Sequence, residues 1–262
     1  MLGRRLGLQI SSDRVRVWLG GTGLALDRPA VAFLERATGA LLGLGEEPGE
    51  VEARAQALGG GWSRPDVSAL SLVVEHVLSN YAGYRWPFRP ALGICLPGKM
   101  PAGAALRISR AAVTAGAGQC WLVDAPLATA AGLGLELDRS GLETVIHLHP
   151  GGAEVAVLDG AAQLGAADWT AATQSAGSGG RQLAAVLQAV HDGLPPRQGQ
   201  QVRERGLLLA GDLACWPDIA AELGHWTALP VRVAPEPLTC AVRGAAGLPD
   251  ALPPLMRSRS FI

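Results

Sequence analysis

Few residues in this chain combine a reactive type with a useful spacing. His147 and His149 stand two apart in Val145-Ile-His-Leu-His149, so on a strand both imidazoles would share one face, as in a two-nitrogen metal clamp. No third ligand lies nearby, and no metal centre is expected. Ser11 and Ser12 follow the apolar run Leu6-Gly-Leu-Gln-Ile10. Their hydroxyls could meet an anion, but the same pair are ordinary turn residues between two strands. Asp124 stands two residues before Pro126 at an expected helix start, where an acid caps the first turn. Tyr81-Ala-Gly-Tyr-Arg-Trp-Pro-Phe88 gathers aromatics and a cation, either as a partner surface or as a loop packed across its own domain.

The elements around these residues repeat. Val145–Leu148 and Val155–Leu158 are β-rich runs joined by His149-Pro-Gly-Gly152, and Asp159-Gly160 turns the chain into a third strand. Gly151 and Gly152 are first of all turn formers. The amino terminus shows the same plan, with Leu6–Ile10, a turn at Ser11–Arg14, Val15–Leu19, and a second turn at Gly20-Gly-Thr-Gly23. Val123-Asp-Ala-Pro-Leu-Ala-Thr-Ala-Ala-Gly132 is matched by Ala234-Pro-Glu-Pro-Leu-Thr-Cys-Ala-Val-Arg-Gly244. Both run from a strand end through Pro-Leu into a small-residue helix closed by glycine. An internally duplicated α/β protein, two halves around a cleft, is expected.

At 262 residues and 48% hydrophobic, the chain can bury a sizeable core without any segment of membrane-spanning length. A net charge of −1 supplies no basic field for nucleic acid. Cys95, Cys120, Cys215 and Cys240 are scattered without zinc spacing and read as small core residues of a reducing compartment. With no apolar leader at its start, the protein is expected in the cytoplasm.

Between the duplicated motifs, Ala30–Leu34 reads as a strand, and the stretch from 43 to 64 as a small insert with a short helix around 50–58. Asp66 caps a helix whose Val67, Leu70, Val73, Val74, Val77 and Leu78 recur at helical spacing. Pro90–Pro97 and Cys120–Val123 read as buried strands flanking a helix from about Pro101 to Ala115. In the second half, Arg181–Val190 reads as a helix and Gly206–Gly211 as a buried strand. A helix at 217–223, a strand at Val231–Val233 and a last helix from about Pro237 complete it. Domains 1–140 and 141–262 follow, with a Gly/Ser linker at 170–180.

These pieces resemble, in order, the MreB-type bacterial actin homologues of the actin, Hsp70 and sugar-kinase superfamily. Leu6-Gly-Leu-Gln-Ile10 is similar to Leu-Gly-Ile-Asp-Leu, Gly23-Leu-Ala-Leu-Asp-Arg-Pro-Ala-Val31 to Gly-Ile-Val-Leu-Asn-Glu-Pro-Ser-Val, and Ile94-Cys-Leu-Pro97 to Ile-Cys-Val-Pro. Gly45-Glu-Glu47 matches Gly-Glu-Glu, and Pro237–Gly247 resembles the family's Pro-Leu-Thr-Ala-Val-Ala-Lys-Gly-Ala-Gly. The resemblance implies two actin-like, ribonuclease-H-like halves, with ATP and Mg²⁺ as the cofactors the family would bring.

The departures fall on the positions that chemistry needs. Two hairpin loops of the family hold phosphates, using carboxylates to organise Mg²⁺ and glycine N–H groups to approach the anion. Gln9-Ile-Ser-Ser12 stands for Asp-x-Gly-Thr, and His147-Leu-His-Pro-Gly-Gly152 for Asp-x-Gly-Gly-Gly-Thr. Pro150 also removes a backbone donor. Ala125 stands at the family's catalytic glutamate, and of the adenosine-binding Gly-Gly-Gly turn only Gly211 remains, followed by Asp212. Ser11, Ser12, Gly151, Gly152 and Gly211 are therefore the residues of a remnant nucleotide cleft, with no catalytic residue among them. The family's subdomain IIB has no counterpart beyond the linker at 170–180, and the insert in the first half is trimmed.

A degenerate actin-like scaffold is expected, without ATPase activity, organising cell shape or the cell envelope through protein contacts. Its expected partners are an intact actin-like protein, a membrane-associated complex or further copies of itself. The alternative is an active ATP-binding filament protein determining rod shape. The tail Leu252–Ile262, with Met1-Leu-Gly-Arg-Arg5, mixes apolar and basic residues that suit weak contact with the inner membrane face.

Overall fold

The computed structural model describes residues 4–49, 52–58, 66–83, 89–97, 100–170, 179–216 and 218–251. They form two compact units, the first ending at Asp124 and the second running from Ala125 to Gly244, with Ala245–Gly247 belonging to the first.

The first unit opens with an antiparallel meander of β1 (Arg5–Ile10), β2 (Arg14–Leu19) and β3 (Gly23–Pro29). Every residue of β1 from Leu6 to Ile10 is buried, Leu6, Leu8 and Ile10 on one face and Gly7 and Gln9 on the other, as befits a central strand covered on both faces. The chain continues through β4 (Val31–Glu35), β5 (Leu41–Leu44), β6 (Ala53–Ala57) and α1 (Val67–Tyr81), then β7 (Ala91–Cys95), α2 (Ala102–Thr114) and β8 (Gln119–Val123). The main sheet has the order β3-β2-β1-β7-β8, with β7 parallel to both β1 and β8. Asp66 caps α1 by accepting from the amides of Ser68 and Ala69, each at 3.1 Å, and the apolar stripe expected from the sequence is buried.

β4, β5 and β6 form a separate three-stranded sheet in the order β5-β4-β6. The short helix expected around 50–58 is thus corrected to a strand over Ala53–Ala57. Alanine favours helix intrinsically, but Ala53-Arg-Ala-Gln-Ala57 also alternates with period two, and pairing with β4 along its whole length decides the outcome.

The second unit begins with α3 (Ala125–Gly132), followed by β9 (Leu142–His149), β10 (Gly152–Asp159) and β11 (Ala162–Thr170) as a second antiparallel meander. Then come α4 (Gly179–Asp192), α5 (Pro196–Arg205), β12 (Leu207–Gly211), a 3-10 turn at Asp212–Cys215, α6 (Ile219–Thr227), β13 (Val231–Val233) and α7 (Cys240–Ala251). The sheet order, β11-β10-β9-β12-β13, repeats that of the first unit element for element. The duplication extends to irregularities. β3 carries one unpaired residue, Ala25, between its pairings to β2, and β11 carries Leu164 in the same way. Each is the third residue of its strand.

Two boundaries and one element differ from the sequence expectation. The units divide at Asp124 rather than near 140, because α3 packs on β9 and β10 of the second sheet. The last helix starts at Cys240, after a turn spanning Pro237–Thr239. α5 was not expected. It is polar on nearly every face and announced only by Pro196 in its first turn, with Val202 and Gly199 buried beneath it. The Tyr81–Phe88 cluster beyond Gly83, the linker at 171–178 and the tail from 252 lie outside the described residues.

α7 contains Pro249, which has no N–H to offer the carbonyl of Ala245 four residues earlier. The indole of Trp121, buried in β8, takes that place: its Nε1–H donates to Ala245 O at 2.8 Å. The ring lies over Gly93, where a β-carbon would sit 2.4 Å from Nε1 and 1.9 Å from Ala245 O. Trp121→Phe is expected to lower stability by about 1–3 kcal/mol, because it strands a buried acceptor. Adding Pro249→Ala in that background returns an N–H and should recover part of the loss. Urea unfolding of the four proteins in the cycle measures the coupling.

Candidate functional site

In the first unit, Ser11, Ser12 and Asp13 form the turn between β1 and β2. Ser11 N donates to Arg14 O at 2.9 Å, and Arg14 N donates to Ser11 Oγ at 3.1 Å. Ser11 Oγ is also 3.1 Å from both Asp13 Oδ1 and Arg14 O, while Ser12 Oγ is 3.5 Å from the same Asp13 oxygen. The two hydroxyls therefore lie against a carboxylate within the turn. Gln9, just before it, is 2% exposed and stands in register with Arg16 on β2 and Cys95 on β7.

In the second unit, β9 and β10 are joined through Pro150 and Gly151, with His149 paired to Gly152. Gly152 has φ +145°, and a β-carbon there would lie 1.9 Å from the carbonyl of Trp169 on β11. Gly211 has φ +92°, pairs with Leu148 and leaves only 2.1 Å for a β-carbon against Leu148 O. Its own N–H donates to Pro237 O at 2.8 Å. Both glycines thus have packing reasons to be glycine, and both border the end of β9.

His147 is 1% exposed, and its Nδ1 lies 3.3 Å from Oγ1 of Thr129, a buried residue of α3. Cys240 Sγ donates to the same Oγ1 at 4.0 Å. Burial raises the Cys240 thiol above its ordinary pKa, keeping its proton in place, although Thr129, nearby backbone and Arg243 pull the other way. The thiol also reaches Pro237 O, the nearer acceptor, at 3.4 Å, so Cys240, Thr129 and His147 form a buried polar cluster between α3, β9 and α7. Glu154 stands opposite His147 in the β9–β10 register and is also buried. Thr129 went unremarked in the sequence because an alanine-rich helix gave no sign that one hydroxyl would reach a histidine eighteen residues on.

Ala125 is the first residue of α3 and buried, and Asp124 directly precedes it. No three His, Cys, Asp or Glu side chains gather as a metal cluster among the described residues. At the positions where the resemblance calls for carboxylates, the side chains are an amide, an imidazole and a methyl group.

A second buried histidine lies in the same unit. His191 of α4 has Nε2 2.9 Å from Thr144 Oγ1 of β9, with Asp192 and Arg203 beside it. Burial and the Arg203 guanidinium lower its pKa, while Asp192 raises it to a lesser degree. The native state therefore resists protonation more than the unfolded chain, whose imidazole titrates near 6.5. This contribution to stability is complete above that value. It should fall by up to about 1.4 kcal/mol per pH unit as pH drops from 6.5 towards the folded pKa. Denaturant midpoints of wild type and His191→Gln between pH 7.5 and 5 should converge on acidification.

Two meanders of identical order, each with two parallel strands added at one edge, are the duplicated actin-like fold. No described family profile matches the chain. It is 24% identical over 166 residues to the cell shape-determining protein Mbl of Bacillus cereus, covering 60% of this chain and 49% of that protein. The Bacillus subtilis Mbl matches over the same extent, so the chain spans about half the length of the curated relatives it matches. Among solved structures, MreB5 of Spiroplasma citri bound to ADP superposes with a TM-score of 0.77 at 13% identity, covering 92% of this chain and 94% of that one. The MamK double helical filament gives 0.72 at 12% identity, covering 95% and 99%.

Proposed function

We propose that this protein is an actin-like scaffold of cell-shape or envelope organisation, working through protein contacts without hydrolysing ATP. The observation that carries the reading is His147. Where the resemblance places a phosphate-loop carboxylate, a buried imidazole is engaged with Thr129. Mg²⁺ takes hard oxygen ligands, and Gln9, His147 and Ala125 offer no carboxylate between them. Asp13, beside the Ser11 and Ser12 hydroxyls, opposes an anion at the other turn. These residues do not fit a magnesium nucleotide. Only residues 171–178 separate β11 from α4, where the resembled family has subdomain IIB. A protein of this kind acts by capping or copolymerising with an intact actin-like protein, or as an adaptor at the inner membrane face. No helix among the described residues is long and apolar enough to cross a membrane.

The test is the purified chain with ATP and Mg²⁺, followed by calorimetry and phosphate release, with pelleting and negative-stain microscopy alongside. Neither turnover nor long filaments is expected from the chain alone. Steady phosphate release would overturn the reading and favour an active filament protein. That second reading draws on neighbours such as MreB5, described with ADP and with AMPPNP, and on the MamK filament.

A further inference from the structure

His191, in the last turn of α4, is 2% exposed and lies where α5 crosses. A β-carbon on Gly199 of α5 would sit 3.5 Å from the His191 carbonyl oxygen. The ring's Nε2 meets Thr144 Oγ1 at 2.9 Å, while its Nδ1 has no hydrogen-bond partner among the described residues. Charged groups approach the ring from two elements, Asp192 from α4 and Arg203 and Glu204 from α5. Thr144 of β9 is flanked in register by Val157 of β10 and Leu207 of β12, neither of which titrates, and β11 brings Gly165 against Val190. α6 meets α4 at its far end, with Glu222 against Gly180 and Trp226 beneath Arg181.

Of the elements around this ring, α5 is the most thinly held. It has ten residues, no side-chain cap at its start and no acid in its first turn. Only Gly199 and Val202 are buried in it. Val202 belongs to a small apolar cluster with Leu142, Val157 and Leu194, and the main core of the unit contains no residue of α5. Two ion pairs complete its hold, Arg203 to Asp192 at 2.7 Å and Arg205 to Glu143 at 2.9 Å, both from half-exposed arginines and so weak in water. α4, by contrast, is anchored by Leu183 and Leu187, and β9 is buried along nearly its whole length.

We propose that α5 is a proton-released flap, lifting from α4 and β9 when His191 takes up a proton. A charged ring carries a hydrogen on both nitrogens and needs water or a carboxylate for the second. Lifting α5 supplies both with the least loss of buried apolar surface. An open groove of about 610 Å³ already runs from the ring along the α5 face bearing Gly199, Gln200 and Arg203, so water has room to follow the helix out. The same movement carries the Arg203 guanidinium away from the imidazolium and leaves Asp192, on the ring's own helix, to face it. In the closed state, burial and Arg203 hold the imidazole pKa below its ordinary 6.5. Opening is therefore indifferent to pH well above that value and grows as pH falls through it. The lifted flap uncovers Leu142, Val157 and Leu194, an apolar patch presented on acidification. None of this depends on the scaffold reading or on nucleotide.

Hydrogen exchange of the full chain, read by mass spectrometry at about pH 7.5 and 5.5 and corrected for the intrinsic rate of amide exchange, tests the flap. The opening constant of the α5 amides should rise by up to about tenfold across that range, while those of β9, β12 and the middle of α4 stay level. His191→Gln keeps a hydrogen-bonding side chain beside Thr144 and cannot be charged, so its α5 should show no rise. An α5 that ignores pH in the wild-type chain overturns the inference whether or not the variant folds. An equal rise across the whole unit also overturns it, since that is global loosening, as does a rise that persists in His191→Gln.

Discussion

Gly244→Ala is expected to cost the second unit about 3 kcal/mol or more. α3 and α7 cross at two glycines that duplicate one another in sequence. A β-carbon on Gly244 would lie 1.8 Å from the carbonyl oxygen of Ala128, and one on Gly132 would lie 1.8 Å from that of Cys240. Ala128 precedes Gly132 by four residues, and Cys240 precedes Gly244 by four, so each glycine meets the carbonyl one helical turn before the other. The obstacle is backbone, so no rotamer change relieves it and the helices must separate. Arg243 Nε also donates to Gly132 O at 3.0 Å, closing the end of α3, and separation would break this bond too. Gly132→Ala should behave like Gly244→Ala. Gly247→Ala, on α7 with nothing within 4 Å of its β-carbon, should gain about 0.5–1 kcal/mol from helix propensity. Urea midpoints of the three variants decide. A tolerated Gly244→Ala would mean that the crossing is looser than these distances allow.

The paired Pro-Leu helices were legible because duplication leaves its mark on residue order, and the same holds for both meanders and for Asp66 as a cap. What sequence could not convey was which duplicated feature had been reused. β6 was hidden by alanine, whose intrinsic preference points to helix while its alternation points to strand. α5 was hidden because an almost wholly polar helix has no apolar stripe to read. Of the candidate cleft residues, Gly152 and Gly211 were found as glycines, but their reasons are carbonyls on neighbouring strands, contacts that only pairing creates. The Thr129–His147 hydrogen bond was invisible for the same reason: nothing local in an alanine-rich helix or an apolar strand links the two.

That hydrogen bond underlies the second large effect. His147→Asp, which restores the carboxylate suggested by the resemblance, is expected to destabilise the protein by about 3 kcal/mol at pH 7. Three features act together. The site is 1% exposed, so an ionised carboxylate there loses its hydration. Glu154 stands directly opposite in the strand register and is itself buried, so a second acid would face a like charge. Thr129 Oγ1, at 3.3 Å from the imidazole, is a hydroxyl that could compensate, but a shorter side chain draws back from it. His147→Asn adds no charge and should cost only about 1 kcal/mol. Urea unfolding with and without millimolar ATP and Mg²⁺ separates a lost fold from a regained site. If the aspartate variant is as unstable with nucleotide as without it, the imidazole belongs to the structure. If magnesium nucleotide restores its stability, the cleft accepts nucleotide once the acid is back, and the prediction that the imidazole serves the fold alone falls.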